Sequence, residues 1–481
     1  MYLIILLGLI LRLSFVDKFE GLWNDEYVSW MIASTPFNDG FWSEVLKQCH
    51  MPLYYLYLKP FANCSDLILR LTSLVPGIIS ICIMYLVGRE YSKKNGYIAA
   101  LITSSLSFLI YYSQEVRFYS LLFLLSSISL LFTIKLIKKF NKINLIGYII
   151  SSILILFTHV LGFIYVFLNL IYIVYKRKKI SIKMILFSIF ILILLLPFGI
   201  NILNMLPSSQ WWGNFSYTNI LFLFSDYLSP ILTNHINAPP VFFYDRNITI
   251  WITLPTIIGF IAMCFGIKNN KGISAIALFA IIVMSILAMT HKIVFISKYL
   301  IEILPIIIIL LSMGFIRLKK IGIILLTIFI LFHISCLFTP FYVTKLPRTE
   351  GHRLVCEVLK KHNSNTIIFT YYEPNRFDRY IDLNSKNTLY ISKINRFDYL
   401  DNPSKILDRI KGGESVSVVF LDSVSFVPYN KINDYENKIP EMFITFSKIK
   451  HSILEKVNLE YKNCKIDTIG SWTVISCIKN K

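Results

Sequence analysis

The chain has 481 residues, is 55% hydrophobic and has a mean hydropathy of +0.62, which excludes a soluble globular protein. Its formal net charge of +20 could point to nucleic acid, but the basic residues sit in short clusters between apolar runs, as the loop charges of a polytopic membrane protein do. The runs are of bilayer length, roughly 17–25 residues per helix, and barrel-strand alternation is absent across 67–340, which excludes an outer-membrane barrel.

Residues 1–16 lack a basic start and a small-residue cleavage site, so they read as a short first span and not as a cleavable signal. Arg12, near the far end of that span, reads as a residue snorkelling to the interface. Further spans are expected at 67–88, 96–113, 118–137, 143–158, 160–175, 181–200, 249–267, 272–290, 298–316 and 320–339, about eleven in all. The uninterrupted apolar run 143–175 is the ambiguous one. As one helix it is about 50 Å long, against a hydrocarbon core of roughly 30 Å. As two helices turning near Thr158-His159 it keeps the clusters Arg89/Lys93/Lys94, Lys135/Lys138/Lys139/Lys142, Lys176–Lys179, Lys268/Lys271 and Arg317/Lys319/Lys320 on one side. The basic side is then cytoplasmic.

The opposite face receives the loops 17–66 and 201–248, tight turns near 113–117 and 158–160, and everything after about 340. "WSEVLKQCHMPLYYLYLKPF" reads as one or two helices lying in the interface, and "QWWGNFSY" and "SDYLSP" suit the same depth. From about residue 345 polar residues become frequent. "GHRLVCEVLKKH" and "PSKILDRI" read as helices, and "TIIFTYY" and "SVSVVFLD" as strands. The expected fold class is therefore an all-α polytopic membrane core, residues 1–344, with an extracytoplasmic α/β domain over 345–481.

The segment "EYKNCKIDTIGSWTVISC" alternates as two strands around Gly470-Ser471, a pair suited to a type II′ turn. Counting pairs outward from Ile469–Trp472 sets Cys464 opposite Cys477 at a non-hydrogen-bonded position, where Cα atoms approach to about 4.5 Å. A disulfide is expected there, because the topology puts the hairpin outside the cytoplasm. Cys82, Cys264 and Cys336 lie in apolar runs and read as packing residues; no CxxC or zinc-ligand spacing occurs among the eight cysteines.

The ionisable residues of the outer face collect at span ends. Asp25 and Glu26 follow the first span in "GLWNDEYVSW", and His50 opens "HMPLYY". Glu115 and Arg117 stand in "YYSQEVRFYS", His159 in the turn of the divided run, and Lys298 in "SKYLIEILP". Singly, each has an ordinary reading: a helix-capping or solvated acid pair, a turn ion pair, a packed histidine, a snorkelling lysine. Together at one face, where ionised groups are costly, they read as a site. A carboxylate there can act as general base for a hydroxyl, and a cation can stabilise a departing phosphate. Carboxylates could also hold a divalent metal, with Asp25 and Glu115 the candidate ligands. No Gly-rich nucleotide loop is evident.

In this order, "LWNDE", "HMPLYY", "YSQEVRFYSL", "THVLGFIYV" and "SKYLIEILP" resemble the motifs of bacterial membrane glycosyltransferases of the C-type superfamily. The similarity is to the group related to protein O-mannosyltransferases and the lipid A aminoarabinose transferase, over roughly residues 1–310. The resemblance implies a polyprenyl-phosphate-linked sugar as donor and an extracytoplasmic glycan, lipid A or protein acceptor. It also implies Asp25 as base with Glu26 beside it, Glu115 as the second-loop acid and Arg117 as a phosphate ligand. Lys298 and Tyr299 stand where the group more often has Arg-Tyr, and Lys keeps the charge without the fork. His50 and Tyr54 belong to a pattern that carries Pro where this chain has Met51, and with His159 they are expected to line the substrate cavity. The competing readings are a lipid-linked sugar transporter or flippase and a sensor whose outer domain does the work. A transporter would place polar groups and helix breaks near mid-membrane, often in paired halves.

Overall fold

The structure is a computed structural model. It describes residues 1–14, 16, 21–47, 50–178, 215–230, 246–268, 270–290 and 295–338, together with Cys356, Leu359 and the five strands of the C-terminal part. The expected span 181–200, most of the loop 201–248, the helices expected from "GHRLVCEVLKKH" and "PSKILDRI" (apart from Cys356 and Leu359, which are helical) and the turn Gly470-Ser471 lie outside the described residues.

Two compact units are formed, one by 1–16 with 28–346 and the other by 17–27 with 347–481.

In the first unit the helices run α1 (Tyr2–Leu13), α2 (Asn24–Ser34, which begins in the other unit), α3 (Asp39–Lys47), α4 (Leu53–Leu58), α5 (Asp66–Arg89), α6 (Lys93–Ser105), α7 (Ser107–Ser113), α8 (Tyr119–Lys138), α9 (Lys142–Thr158), α10 (Gly162–Arg177), α11 (Thr218–Leu228), α12 (Arg246–Ile267), α13 (Lys271–Met289), α14 (Leu304–Arg317) and α15 (Lys319–Cys336). A 3₁₀ turn, Ser297–Ile303, leads into α14. Six described segments are long and apolar enough to cross a membrane, or seven if the bent pair α6–α7 is one span. The protein is a multi-pass membrane protein. Helices that the sequence places against lipid expose large apolar side chains, such as Ile321, Ile323 and Ile324 on α15 and Phe279 and Ile286 on α13.

The divided reading of 143–175 is what the structure contains. α9 ends at Thr158, His159 is extended (φ −151°, ψ 129°), and α10 starts at Gly162 and packs back on α9. The basic clusters then meet at one end of the bundle. Lys138 Nζ bonds both the carbonyl and the carboxylate of Glu90. Arg177 donates to the carbonyls of Leu136 and Ile137, and Asn270 Nδ2 donates to the Tyr91 hydroxyl at 3.0 Å. Helices α6, α9 and α13 all begin there with a Ser or Asn side chain capping the first turn, followed directly by Lys. A lysine at a helix N-terminus opposes the macrodipole, so these charges serve membrane topology and not the helices that carry them.

Two expected spans are not plain helices. The run 96–113 breaks at Leu106 into α6 and α7, bent by 59°. No proline causes this; the groups freed by the break are bound by distant side chains. Arg12 Nη2 donates to Thr103 O (2.9 Å), and Arg12 Nη1 to Ser104 O (3.0 Å). The Ser107 amide donates to His333 Nδ1 on α15 at 3.2 Å. Irregular backbone at membrane depth is tolerated only when satisfied in this way. Arg12 is therefore fully buried and does not snorkel, contrary to the reading from sequence. The run 298–316 likewise starts as a 3₁₀ turn, non-helical at Leu300 (φ −117°), before α14 begins with Pro305 in its first turn.

The second unit contains a five-stranded sheet in the order β2-β1-β3-β5-β4: β1 (Asn365–Phe369), β2 (Thr388–Ile391), β3 (Ser415–Leu421), β4 (Tyr461–Ile469) and β5 (Trp472–Lys479). β1 pairs in parallel with β2 and β3, and β5 is antiparallel to β3 and β4. The β4–β5 register runs from Ile469↔Trp472 to Lys465↔Ser476, with an irregularity between Lys462 and Lys465. Cys464 and Cys477 are disulfide-bonded, their Cα atoms 4.1 Å apart.

Candidate active site

The end of the bundle opposite the basic turns is built around the buried turn between α7 and α8. In "SQEVRF" all six residues are buried, Glu115 and Arg117 included, and the Arg117 amide closes on Glu115 O at 2.7 Å. Gln114 Nε2 donates to the carbonyls of Arg12 (2.8 Å) and Ser14 (2.7 Å), which pins this turn to the end of α1. Arg117 Nη1 donates to Ser29 Oγ on α2 at 3.2 Å, and its carbonyl is within 3.4 Å of Ser73 Oγ.

Around this turn a chain of ring contacts links most of the residues expected at the site. His50 lies 6.0 Å from the Phe118 ring, and Phe118 stacks on His159 at 5.0 Å with 25° between planes. His159 then meets Tyr299 at 5.7 Å. Lys298 Nζ lies 5.6 Å from the Tyr119 ring centroid and 5.7 Å from that of Tyr299. The Arg117 guanidinium sits 5.2 Å from Phe118 and 6.0 Å from Tyr119. Two cations thus share one aromatic wall, each facing a ring π-system. His50 Nδ1 bonds the Tyr55 hydroxyl, and Tyr54 supports the wall from behind through Ser73 Oγ at 3.0 Å. Lys298 is only 6% exposed, which sets it apart from a snorkelling lysine.

His159 is half-buried in its turn, with Nδ1 shielded from solvent. Burial first, and the Arg117 charge second, push its pKa down to about 3, so the ring is neutral under physiological conditions. A neutral ring can stack and hydrogen-bond beside a phosphate, but it adds no charge.

Asp25 and Glu26 occupy the first turn of α2. Glu26 Oε2 accepts the Trp23 amide at 3.2 Å, the reach of an acid at the third helical position back to the N-cap. Glu26 is thus engaged in capping. Asp25 is half-buried. Asp25 and Glu26 belong to the second compact unit, and Glu115 to the first. Among the described residues no three His, Cys, Asp or Glu side chains gather as they would to hold a metal ion.

The reading from sequence missed three acids and phenols near Lys298. Asp226 and Tyr227 of α11 and Glu302 of the 3₁₀ turn are all buried, and Glu302 Oε2 has no hydrogen-bond partner among the described residues. Burial and the negative charges of Glu302 and Asp226 hold the Tyr227 hydroxyl well above its ordinary pKa. A signal was available: Glu302 stands inside "SKYLIEILP", an acid in an apolar run.

No protein-family model matches the chain, and no curated protein matches it by sequence. Among solved structures, ArnT from Cupriavidus metallidurans in the apo state aligns over 99% of this chain and 97% of its own, with a TM-score of 0.54 at 9% identity. The same protein bound to undecaprenyl phosphate aligns over the same shares with a TM-score of 0.53 at 10% identity. The chain shares the fold of that protein. In this fold the two cations, the two histidines and Tyr299 share the end of the bundle opposite the basic turns.

Proposed function

We propose that the protein is an integral membrane glycosyltransferase that moves a sugar from a polyprenyl-phosphate carrier to an extracytoplasmic acceptor. The observation that carries this is the convergence of Arg117 and Lys298 on one aromatic wall, at the end of the bundle away from the basic turns. If those turns are cytoplasmic, as the distribution of positive charge favours, the site opens on the outer side of the inner membrane. ArnT, with the same fold, has been crystallised with undecaprenyl phosphate, which supports a carrier of that class.

In the proposed reaction the acceptor hydroxyl attacks the anomeric carbon, and its proton passes to the Asp25 carboxylate. The bond between that carbon and the phosphate oxygen breaks, and the electron pair leaves with the polyprenyl phosphate. Arg117 receives the growing phosphate charge through its planar fork and Lys298 as a point charge. Both are already desolvated and oriented, so little reorganisation is needed as charge develops. His50, Tyr54 and His159 shape the cavity, Glu115 lies in the turn that aims Arg117, and Glu26 holds the first turn of α2. The acceptor class comprises lipid A or another surface glycan, or a protein.

The test is intact-mass analysis of surface glycans and glycoproteins from cells with and without the gene, followed by complementation. One glycosyl unit should be lost and then restored by the wild type but not by Asp25→Ala. Full restoration by a folded Asp25→Ala protein refutes the base assignment. An unchanged mass profile across lipid, polymer and protein fractions refutes the transferase reading.

A further inference from the structure

Lys298 and Tyr299 project from a 3₁₀ turn that has no side-chain cap and turns non-helical at Leu300. The turn is fastened to α11 at Ser297. Asp226 Oδ2 accepts the Ser297 hydroxyl at 2.5 Å, and the Tyr227 hydroxyl donates to the Ser297 carbonyl at 2.8 Å. All three residues are fully buried, and the Tyr227 ring meets Phe108 of α7 edge-on at 5.0 Å. Asp226 lies in the last turn of its helix, where an acid opposes the macrodipole, so it does not stabilise α11. Its cost is offset by the bond to Ser297, the residue directly before Lys298.

We propose that Asp226 and Tyr227 are positioning residues that grip Ser297 from both its hydroxyl and its carbonyl and so aim Lys298 and Tyr299 at the carrier phosphate. This rests on the transferase reading above. The two residues touch no substrate. They act through the backbone of the turn, so their loss should weaken phosphate binding more than it weakens the fold.

The experiment uses the full-length protein in detergent with undecaprenyl phosphate as the probe, and measures Kd and thermal midpoint for Ser297→Ala, Asp226→Asn, Tyr227→Phe and the double variant Asp226→Asn/Ser297→Ala. Each single variant is expected to bind about tenfold more weakly, the loss of one buried, charge-assisted or neutral hydrogen bond. The double variant should be no weaker than the worse single one, because both remove the same bond. Ser297→Thr, which keeps the hydroxyl, should restore binding. Should Asp226→Asn fail to fold, Ser297→Ala and Tyr227→Phe each delete a single oxygen and carry the test alone. Wild-type affinity in all the single variants overturns the inference and leaves the transferase reading standing. Absence of binding by the wild type overturns both.

Discussion

Arg117 is held at Ser29 and faces two rings, so its guanidinium is aimed before any ligand arrives. Lysine keeps the charge but not the planar fork, and Arg117→Lys is expected to lower turnover on the order of 100-fold, as loss of an aimed donor does. Steady-state transfer assays with the purified variant check this. His159 makes a different prediction. Its pKa is near 3 in the folded protein and about 6.5 in an unfolded chain, so between those values the unfolded state binds more protons and stability rises with pH. Lowering the pH from 6.5 toward 3 should therefore destabilise the wild type. His159→Phe, which preserves the stack between Phe118 and Tyr299, should flatten that acid limb in melting curves recorded in detergent. An unchanged acid limb would show that His159 is not the group responsible.

At the scale of elements, two contacts between distant parts of the chain decide the architecture. The first is the break at Leu106, whose freed carbonyls are bound by Arg12 and whose freed amide is bound by His333. Arg12→Leu leaves two buried carbonyls without their charged donor and is expected to cost about 3 kcal/mol or more of stability, read as a lower midpoint in thermal or denaturant unfolding. The second is the close approach of α12 and α14. A Cβ on Gly314 would lie 1.7 Å from Ala262 O, and one on Gly266 would lie 2.0 Å from Leu310 O. Ala262 and Gly266 are four residues apart, the small-residue spacing that lets membrane helices touch backbone to backbone. Gly314→Val should force the pair apart and reduce the yield of folded protein, whereas Cys264→Val, at an exposed position on the same helix, should not.

For the whole molecule, the basic turns act as one set because the helices between them alternate in direction. Dividing the 143–175 run is what keeps Lys268, Lys271 and Arg317 on the same side as Arg89. A phosphatase reporter placed after residue 481 is expected to be active outside the cytoplasm, and one placed in the turn between α8 and α9 inactive. The opposite result would reverse the proposed orientation and the proposed side of the active site. In an oxidising compartment the Cys464–Cys477 bond closes a loop with a sequence separation of 13, and Cys464→Ser should lower stability of the C-terminal unit by about 3 kcal/mol. That is best measured by proteolysis of oxidised wild type against the variant.

Much of this was legible along the chain, because hydropathy, charge sign and turn chemistry are local. The spans announce themselves by length, the division at Thr158-His159 by the placement of lysines, and the β4–β5 register by counting from Gly470-Ser471. His50, Arg117, His159 and Lys298 could be named as a group because ionisable residues at span ends are rare in so apolar a chain, and Tyr299 was added by the resemblance of "SKYLIEILP". The capping reach of Glu26 to Trp23 was equally local, since the spacing of an acid at the third helical position is visible in "WNDE". What the sequence alone could not determine depends on pairs far apart in it. Arg12 meets Ser104 across 92 residues and Ser107 meets His333 across 226, so the bend at Leu106 has no local signature. Asp226 grips Ser297 across 71 residues, and only packing brings them together. In lipid every freed backbone group must find a partner inside the protein, and which side chain supplies it is decided by how the helices pack and not by what lies next to it in the chain.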